Sequence, residues 1–103
     1  MTKIVRLTSG EEILCNAEIE GDKVTMRDPA VIIPVGNNEI GMAPWLMYAD
    51  TKDGVTIDMK FVVFIIDPAD EMKTNYEQGF VPRLKGLVMP EKKLVVPDLK
   101  LAD

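Results

Sequence analysis

Few side chains in this chain could do chemistry, and the missing ones narrow the field first. There is no histidine, so the commonest proton shuttle and metal ligand near neutral pH is absent. The only serine, Ser9, stands beside Gly10 between two strand-like runs, where it reads as part of a turn. The only cysteine, Cys15, falls on the apolar side of an alternating run and has no histidine to activate it. Carboxylates occur in pairs, Glu18 with Glu20 and Asp50 with Asp53, yet no set has the spacing of a calcium loop, and they read as a solvated face. The expectation is a protein that is not an enzyme and uses no cofactor or metal.

What remains is recognition chemistry. Trp45 and Tyr48 offer ring faces on which bases could stack, an interaction of ~1–3 kcal/mol per base. Flanked by Leu46 and Met47, they read more readily as core or subunit-contact residues. Arg83, Lys85, Lys92 and Lys93 could touch phosphates as an arm, or could equally guard an apolar tail against aggregation. Charge divides along the chain: residues 1–79 hold 7 Lys and Arg against 14 Asp and Glu, and residues 80–103 hold 5 against 3. An acidic body argues against broad duplex binding, which rests on neutralising phosphates, and leaves room for a local pocket taking a few single-stranded nucleotides.

The elements that must position these groups are mostly strands. A chain of 103 residues with 47% hydrophobic and 28% charged residues is of ordinary globular composition and fits one domain. Arg6 interrupts what a secretory peptide would need as an apolar stretch, and the longest apolar run, residues 61–66, is far short of the ~20 residues of a membrane helix. One cysteine permits no internal disulfide, which suits a reducing cytoplasm.

Residues 3–8 read as a first strand closed by the Ser9-Gly10 turn. Residues 11–20 alternate Ile13, Cys15, Ala17 and Ile19 against Leu14, Asn16, Glu18 and Glu20, the period of a strand with one wet face. Gly21-Asp22 turns the chain into a third strand, in which Asp28-Pro29 marks an edge or a bulge. Gly36-Asn37-Asn38 leads to a fourth strand, and Asp53-Gly54 marks a further hairpin into a last strand, where Val55, Ile57, Met59, Phe61, Val63 and Ile65 alternate. From Val62 onward both faces of that strand are apolar, so a neighbouring layer or subunit must cover it. Asp67-Pro68 opens a helix that Gly79 ends. Beyond it, two echoing stretches, residues 87–91 and 94–98, each opening on an apolar quartet, read as extended, edge-strand or docking segments.

The predicted fold is therefore mainly all-β: a small, five-stranded, strongly bent SH3-like barrel with one short helix after the last strand. Barrel and helix occupy residues 1–79, and an extended basic and apolar tail occupies residues 80–103.

Two stretches carry a family resemblance. Ile4-Val5-Arg6-Leu7-Thr8-Ser9-Gly10-Glu11-Glu12-Ile13, followed by Ala17-Glu18-Ile19-Glu20-Gly21-Asp22-Lys23-Val24-Thr25-Met26, resembles the first motif of the Sm/LSm family. Ile57-Asp58-Met59-Lys60-Phe61-Val62-Val63-Phe64-Ile65 resembles the second in its apolar frame, with Asp58-Met59 where the family has Arg-Gly. The combination, with its late helix, is most similar to the divergent Sm-like proteins of marine cyanophages, and it covers residues 3–66. The resemblance implies a homo-oligomeric ring of five to seven subunits binding single-stranded RNA or DNA, with a role in nucleic-acid processing in the host cytoplasm. It places Asp22, Lys23 and Met26 on one nucleotide-contacting loop and Asp58, Met59 and Lys60 on the other; Arg83 and Lys85, outside the resemblance, are expected as further contacts on the charge of the tail alone. Singly, each of these lysines also reads as a solvated strand end. Phe61, Val62, Val63, Phe64, Ile65 and Ile66 are the subunit-interface candidates. The missing Arg-Gly pair and the acidic body favour the alternative, a protein–protein adaptor or assembly factor on the same barrel.

Overall fold

The computed structural model describes residues 1–85. The quartets at 87–90 and 94–97, with Lys92 and Lys93, lie outside the described residues. Six strands form: β1 Thr2–Leu7, β2 Glu12–Glu20, β3 Lys23–Gly36, β4 Glu39–Pro44, β5 Val55–Asp58 and β6 Val62–Ile66. All pair antiparallel in one sheet of order β4-β3-β2-β1-β6, and β5 adds to β3. Because residues 23–31 of β3 pair with β2 on one side, β5 (against residues 23–26) and β4 (against residues 30–36) share the other. The hairpin expected at Asp53-Gly54 is thus absent: β4 and β5 each pair with β3 rather than with each other.

The bend comes from local irregularities. Leu14 faces Ala30 and Asn16 faces Arg27, so Cys15 stands opposite two residues, Asp28 and Pro29. This is the bulge that the Asp-Pro pair predicts, with Asp28 at φ 51°, and a bulge sharpens the local bend and twist. A second shift lies between Arg6 and Leu7, where β1 meets β6.

The expected last strand is broken. Residues 59–61 form a 3₁₀ turn between β5 and β6 and account for the sixth strand. Asp58 caps that turn, its Oδ1 accepting from the Lys60 N–H at 2.9 Å. The Met59 N–H donates to the Asp22 carbonyl and the Phe61 carbonyl accepts from Thr8, both at 2.8 Å. Three residues therefore span from the β2–β3 turn to the end of β1, which is possible only because the sheet curls strongly. The fold is the strongly bent, mostly antiparallel sheet expected, and no ladder joins β6 to β4 or β5 among the described residues to close it into a barrel.

The inner face of the bend buries Val5, Leu7, Ile13, Cys15, Val24 and Met26, with Trp45, Ile57, Met59, Val62 and Ile65 packed around them. The outer face buries Leu14 and Ala30 beneath Tyr76 and Phe80 of the late helix. Two short α-helical pieces, α1 Asp70–Asn75 and α2 Val81–Leu84, are joined by a π-helical turn over Tyr76–Phe80. Pro82 has no N–H to give the preceding turn, and the helix widens into the π turn just before it. In that wide turn Tyr76 and Phe80 both face the sheet, with stacked rings 5.8 Å apart. The helix departs from its predicted bounds at both ends. It begins at Asp70, Asp67 instead pairs with Lys3 of β1, and it continues through Gly79 into residues expected to be tail. Among the described residues no helix is long and apolar enough to cross a membrane.

Candidate nucleic-acid interface at the strand junction

The β3–β5 ladder brings together residues more than thirty positions apart. Lys23 faces Asp58 in register, Val24 faces Ile57, and the Thr25 and Thr56 hydroxyls are hydrogen-bonded at 2.7 Å. Val24 is fully buried and its register with Ile57 fixes the pair, so Lys23 and Asp58 emerge side by side at the junction's rim. The Lys23 Nζ lies 3.5 Å from Asp58 Oδ2. The Lys60 backbone hydrogen bond, helped by the Lys23 and Lys60 charges, holds the Asp58 carboxyl below its ordinary range.

Of the six residues expected on the two nucleotide-contacting loops, five meet at one junction, Asp22 and Lys23 on one turn and Asp58, Met59 and Lys60 on the other, although the Met59 side chain packs on the inner core. The sixth does not. Met26 is fully buried in the inner core, because it falls on the same strand face as Val24, and cannot meet a ligand there. Lys60 makes no ion pair among the described residues, and its ammonium lies 5.3 Å from the centre of the Phe61 ring. Phe61 is 48% exposed, so an uncommitted cation and an open ring face stand together at the tip of the turn.

Phe61 is a contributor that pattern reading assigned to the interface strand. The turn reverses the alternation: Ile57 and Met59 point inward before it, then Val62 and Ile65 after it, leaving Phe61 and Val63 outside. Of the six interface candidates, Val62 and Ile65 pack on the core, Phe61, Val63 and Ile66 are exposed, and Phe64 lies under the Arg6 guanidinium. The other basic candidates stand elsewhere. Lys85 reaches Asp28 at 3.6 Å on the β3 bulge, and Arg83 belongs to the helix. Trp45 packs on the inner core and its indole N–H donates to Glu11 at 3.2 Å, whereas Tyr48 is fully exposed on the loop after β4 rather than in the core.

The groups considered for catalysis are occupied. Ser9 Oγ donates to Glu11 Oε1 at 3.0 Å within its turn, and burial pushes the Cys15 thiol up to about 12. Glu18 pairs with Arg27, Asp50 accepts from the Lys52 N–H, and no cluster of potential metal ligands occurs among the described residues. The arrangement is a small rim in which Lys60, without an ion pair among the described residues, stands beside an open aromatic face. It defines a bent antiparallel-sheet protein with a helix-covered outer face. No family model and no curated protein matches the chain.

Proposed function

We propose that this chain is a non-enzymatic Sm-like module that binds single-stranded RNA, or single-stranded DNA, through the junction of the β2–β3 turn and the 3₁₀ turn, and that works as a ring of five to seven copies. The observation that carries the reading is the ladder that sets Asp22 and Lys23 against Asp58, Met59 and Lys60, with Lys60 beside the open Phe61 ring. An unpaired cation and an exposed aromatic face are what single-stranded nucleic acid takes, since stacking tolerates any base and the charge meets the backbone. One site of this size is weak, and a ring multiplies it around a common axis. Sheet edges without a ladder among the described residues support assembly: β4 carries the exposed Ile40, and β6 the exposed Val63 and Ile66. A head-to-tail contact between unlike edges closes a ring when its rotation permits.

Fluorescence anisotropy with short U-rich and A-rich RNAs tests the reading. Binding that weakens with salt and falls at least tenfold in Lys60→Ala and Phe61→Ala supports it, and absence of salt-sensitive binding ends it. Light scattering at micromolar concentration reads the assembly, and a monomer there removes the ring. The second reading, a protein–protein adaptor, draws on Lys23 being committed to Asp58, which leaves the rim nearly neutral. Purified protein free of nuclease-sensitive absorbance at 260 nm favours that alternative.

A further inference from the structure

A cation and a ring also meet one strand away from the junction. Arg6 of β1 lies in register with Phe64 of β6, and its guanidinium sits over the Phe64 ring, 6.0 Å from the ring centre. The pair belongs to the outer face of the sheet, because Val5 and Leu7 on either side of Arg6 point into the inner core, as does Ile65 next to Phe64. On the other side of β1, Glu12 of β2 is the register partner of Arg6 and accepts from its Nη1 at 2.8 Å. The N–H bonds of a guanidinium lie in its plane, so this pairing occupies its edge and leaves its faces to flat partners. The Arg6 side chain stays 41% exposed.

We infer that Arg6 and Phe64 form a second base-stacking subsite, which takes the nucleotide next to the one held at Lys60 and Phe61. The inference rests on the proposed binding of single-stranded nucleic acid and sets the extent of that site. Register is the first argument. The Thr8 N–H donates to the Phe61 carbonyl while Arg6 faces Phe64, so both rings stand alongside the same end of β1. Arg6 and Thr8 fall on one strand face, about 7 Å apart at ~3.3 Å per residue. The sugar–phosphate backbone between two successive unstacked bases spans that distance.

Charge is the second argument. Lys60 makes no ion pair among the described residues and can meet a phosphate, whereas the Arg6 charge is already met by Glu12. Arg6 therefore contributes a flat, cationic stacking surface instead of phosphate neutralisation, one of the ways in which proteins hold splayed bases. Access is the third. Arg6 stands one strand in from the β6 edge, so a neighbouring copy joined along that edge lies beside the pair and not over it.

Fluorescence anisotropy of the full chain with a labelled oligouridylate tests the subsite. Arg6→Lys keeps the charge and the Glu12 partner but has no planar group on which a base can stack. It is expected to weaken binding by roughly fivefold or more, the low end of the loss per stacked base. Its affinity should keep the wild-type dependence on salt, because no phosphate contact is lost, whereas Lys60→Ala should weaken binding and flatten that dependence. Wild-type affinity in Arg6→Lys, with losses in Lys60→Ala and Phe61→Ala, would overturn the second subsite and leave the junction reading standing. Absence of salt-sensitive binding by the wild-type chain would end both. A second measurement needs no variant: photo-cross-linking of the wild-type chain to an oligonucleotide carrying thiouridine is expected to mark both Phe61 and Phe64. Marking of Phe61 alone would overturn the inference.

Discussion

On its inner face the sheet buries Val5, Ile13, Cys15, Val24 and Met26 against its own curvature, whereas on its outer face Leu14 and Ala30 are buried because residues 70–84 return across them. The inner core draws side chains from β1, β2, β3, β5 and β6, so no one element can leave without opening it. The outer core depends on one helical segment whose buried members are Tyr76 and Phe80. The difference teaches that the inner core is built by the sheet alone, while the outer core is completed only by the helical cover. Local unfolding draws on such covers, with few buried anchors, before it draws on the sheet.

Truncation on the two faces should therefore read differently. Met26→Ala is expected to lower the free energy of unfolding by about 2–5 kcal/mol, the range for removing a buried methionine from a closed core. Phe80→Ala removes more atoms, yet its measured loss should be smaller, because the helix can lift off while the sheet stays folded. Urea midpoints give the two losses. Hydrogen exchange sharpens them: in Phe80→Ala, amides of residues 70–84 should lose protection while the β2–β3 ladder keeps its own. Equal loss of protection in both regions would break the comparison and make the helix part of one cooperative unit.

A smaller change probes how the cover is held. The Tyr76 hydroxyl donates to the carbonyls of Arg27 and Asp28, at 3.2 and 2.7 Å, at the point where β3 leaves its register with β2 after Arg27. Tyr76→Phe keeps the ring and leaves those acceptors without their donor, and is expected to cost about 1–3 kcal/mol. Burial, with the nearby Asp28 charge, pushes the Tyr76 hydroxyl above the ordinary tyrosine range. Its contribution is complete below the unfolded value near pH ~10 and declines above it. The wild-type advantage over Tyr76→Phe should therefore be constant from pH 6 to 9 in denaturant titrations.

Much of this division is legible in the sequence, for physical reasons that also mark where legibility stops. Period-two alternation in residues 11–20 is imposed by the pleat, so the pattern alone sets Ile13 and Cys15 on the opposite face from Leu14. The Asp28-Pro29 bulge is readable because proline cannot continue a ladder. The 3₁₀ turn at residues 59–61 is not. Its residues keep the apolar alternation on either side, and what breaks the strand is a cap from Asp58 and a tether to Asp22, contacts that periodicity cannot register. That one turn sends Phe61 outward and makes the spare cation and ring of the candidate site. Likewise Gly79 reads as a stop, but docking of Tyr76 and Phe80 on the sheet outweighs one glycine in a helix, whose cost is ~1 kcal/mol. That Asp22 and Lys23 lie beside Asp58 and Lys60 follows from the β3–β5 register, whereas Met26 and Met59 face the inner core, Met26 because it shares a strand face with Val24.

The smallest expected effect separates the two regions by pH. The Lys3 ammonium, through its hydrogen bond and charge, holds the Asp67 carboxyl below its ordinary range and ties the start of the helical segment to β1. Asp58 is held low chiefly by the Lys60 N–H and ties the 3₁₀ turn that belongs to the inner region. In both cases the folded value lies under the unfolded one of ~3.9, so each contributes above that pH and loses its contribution as pH falls through the lower folded value. Asp67 is exposed and Asp58 half-buried at the rim, which keeps the effects modest and sensitive to salt. Asp67→Asn should therefore erase part of the acid sensitivity of helix protection below about pH 4, and leave sheet protection on its wild-type curve. Asp58→Asn should do the reverse, flattening the acid dependence of the β3–β5 and β1–β6 amides. Hydrogen exchange on the two variants reads both curves. If Asp67→Asn shifted the sheet amides as far as the helix amides, the Lys3 contact would be holding the sheet together and not only its cover.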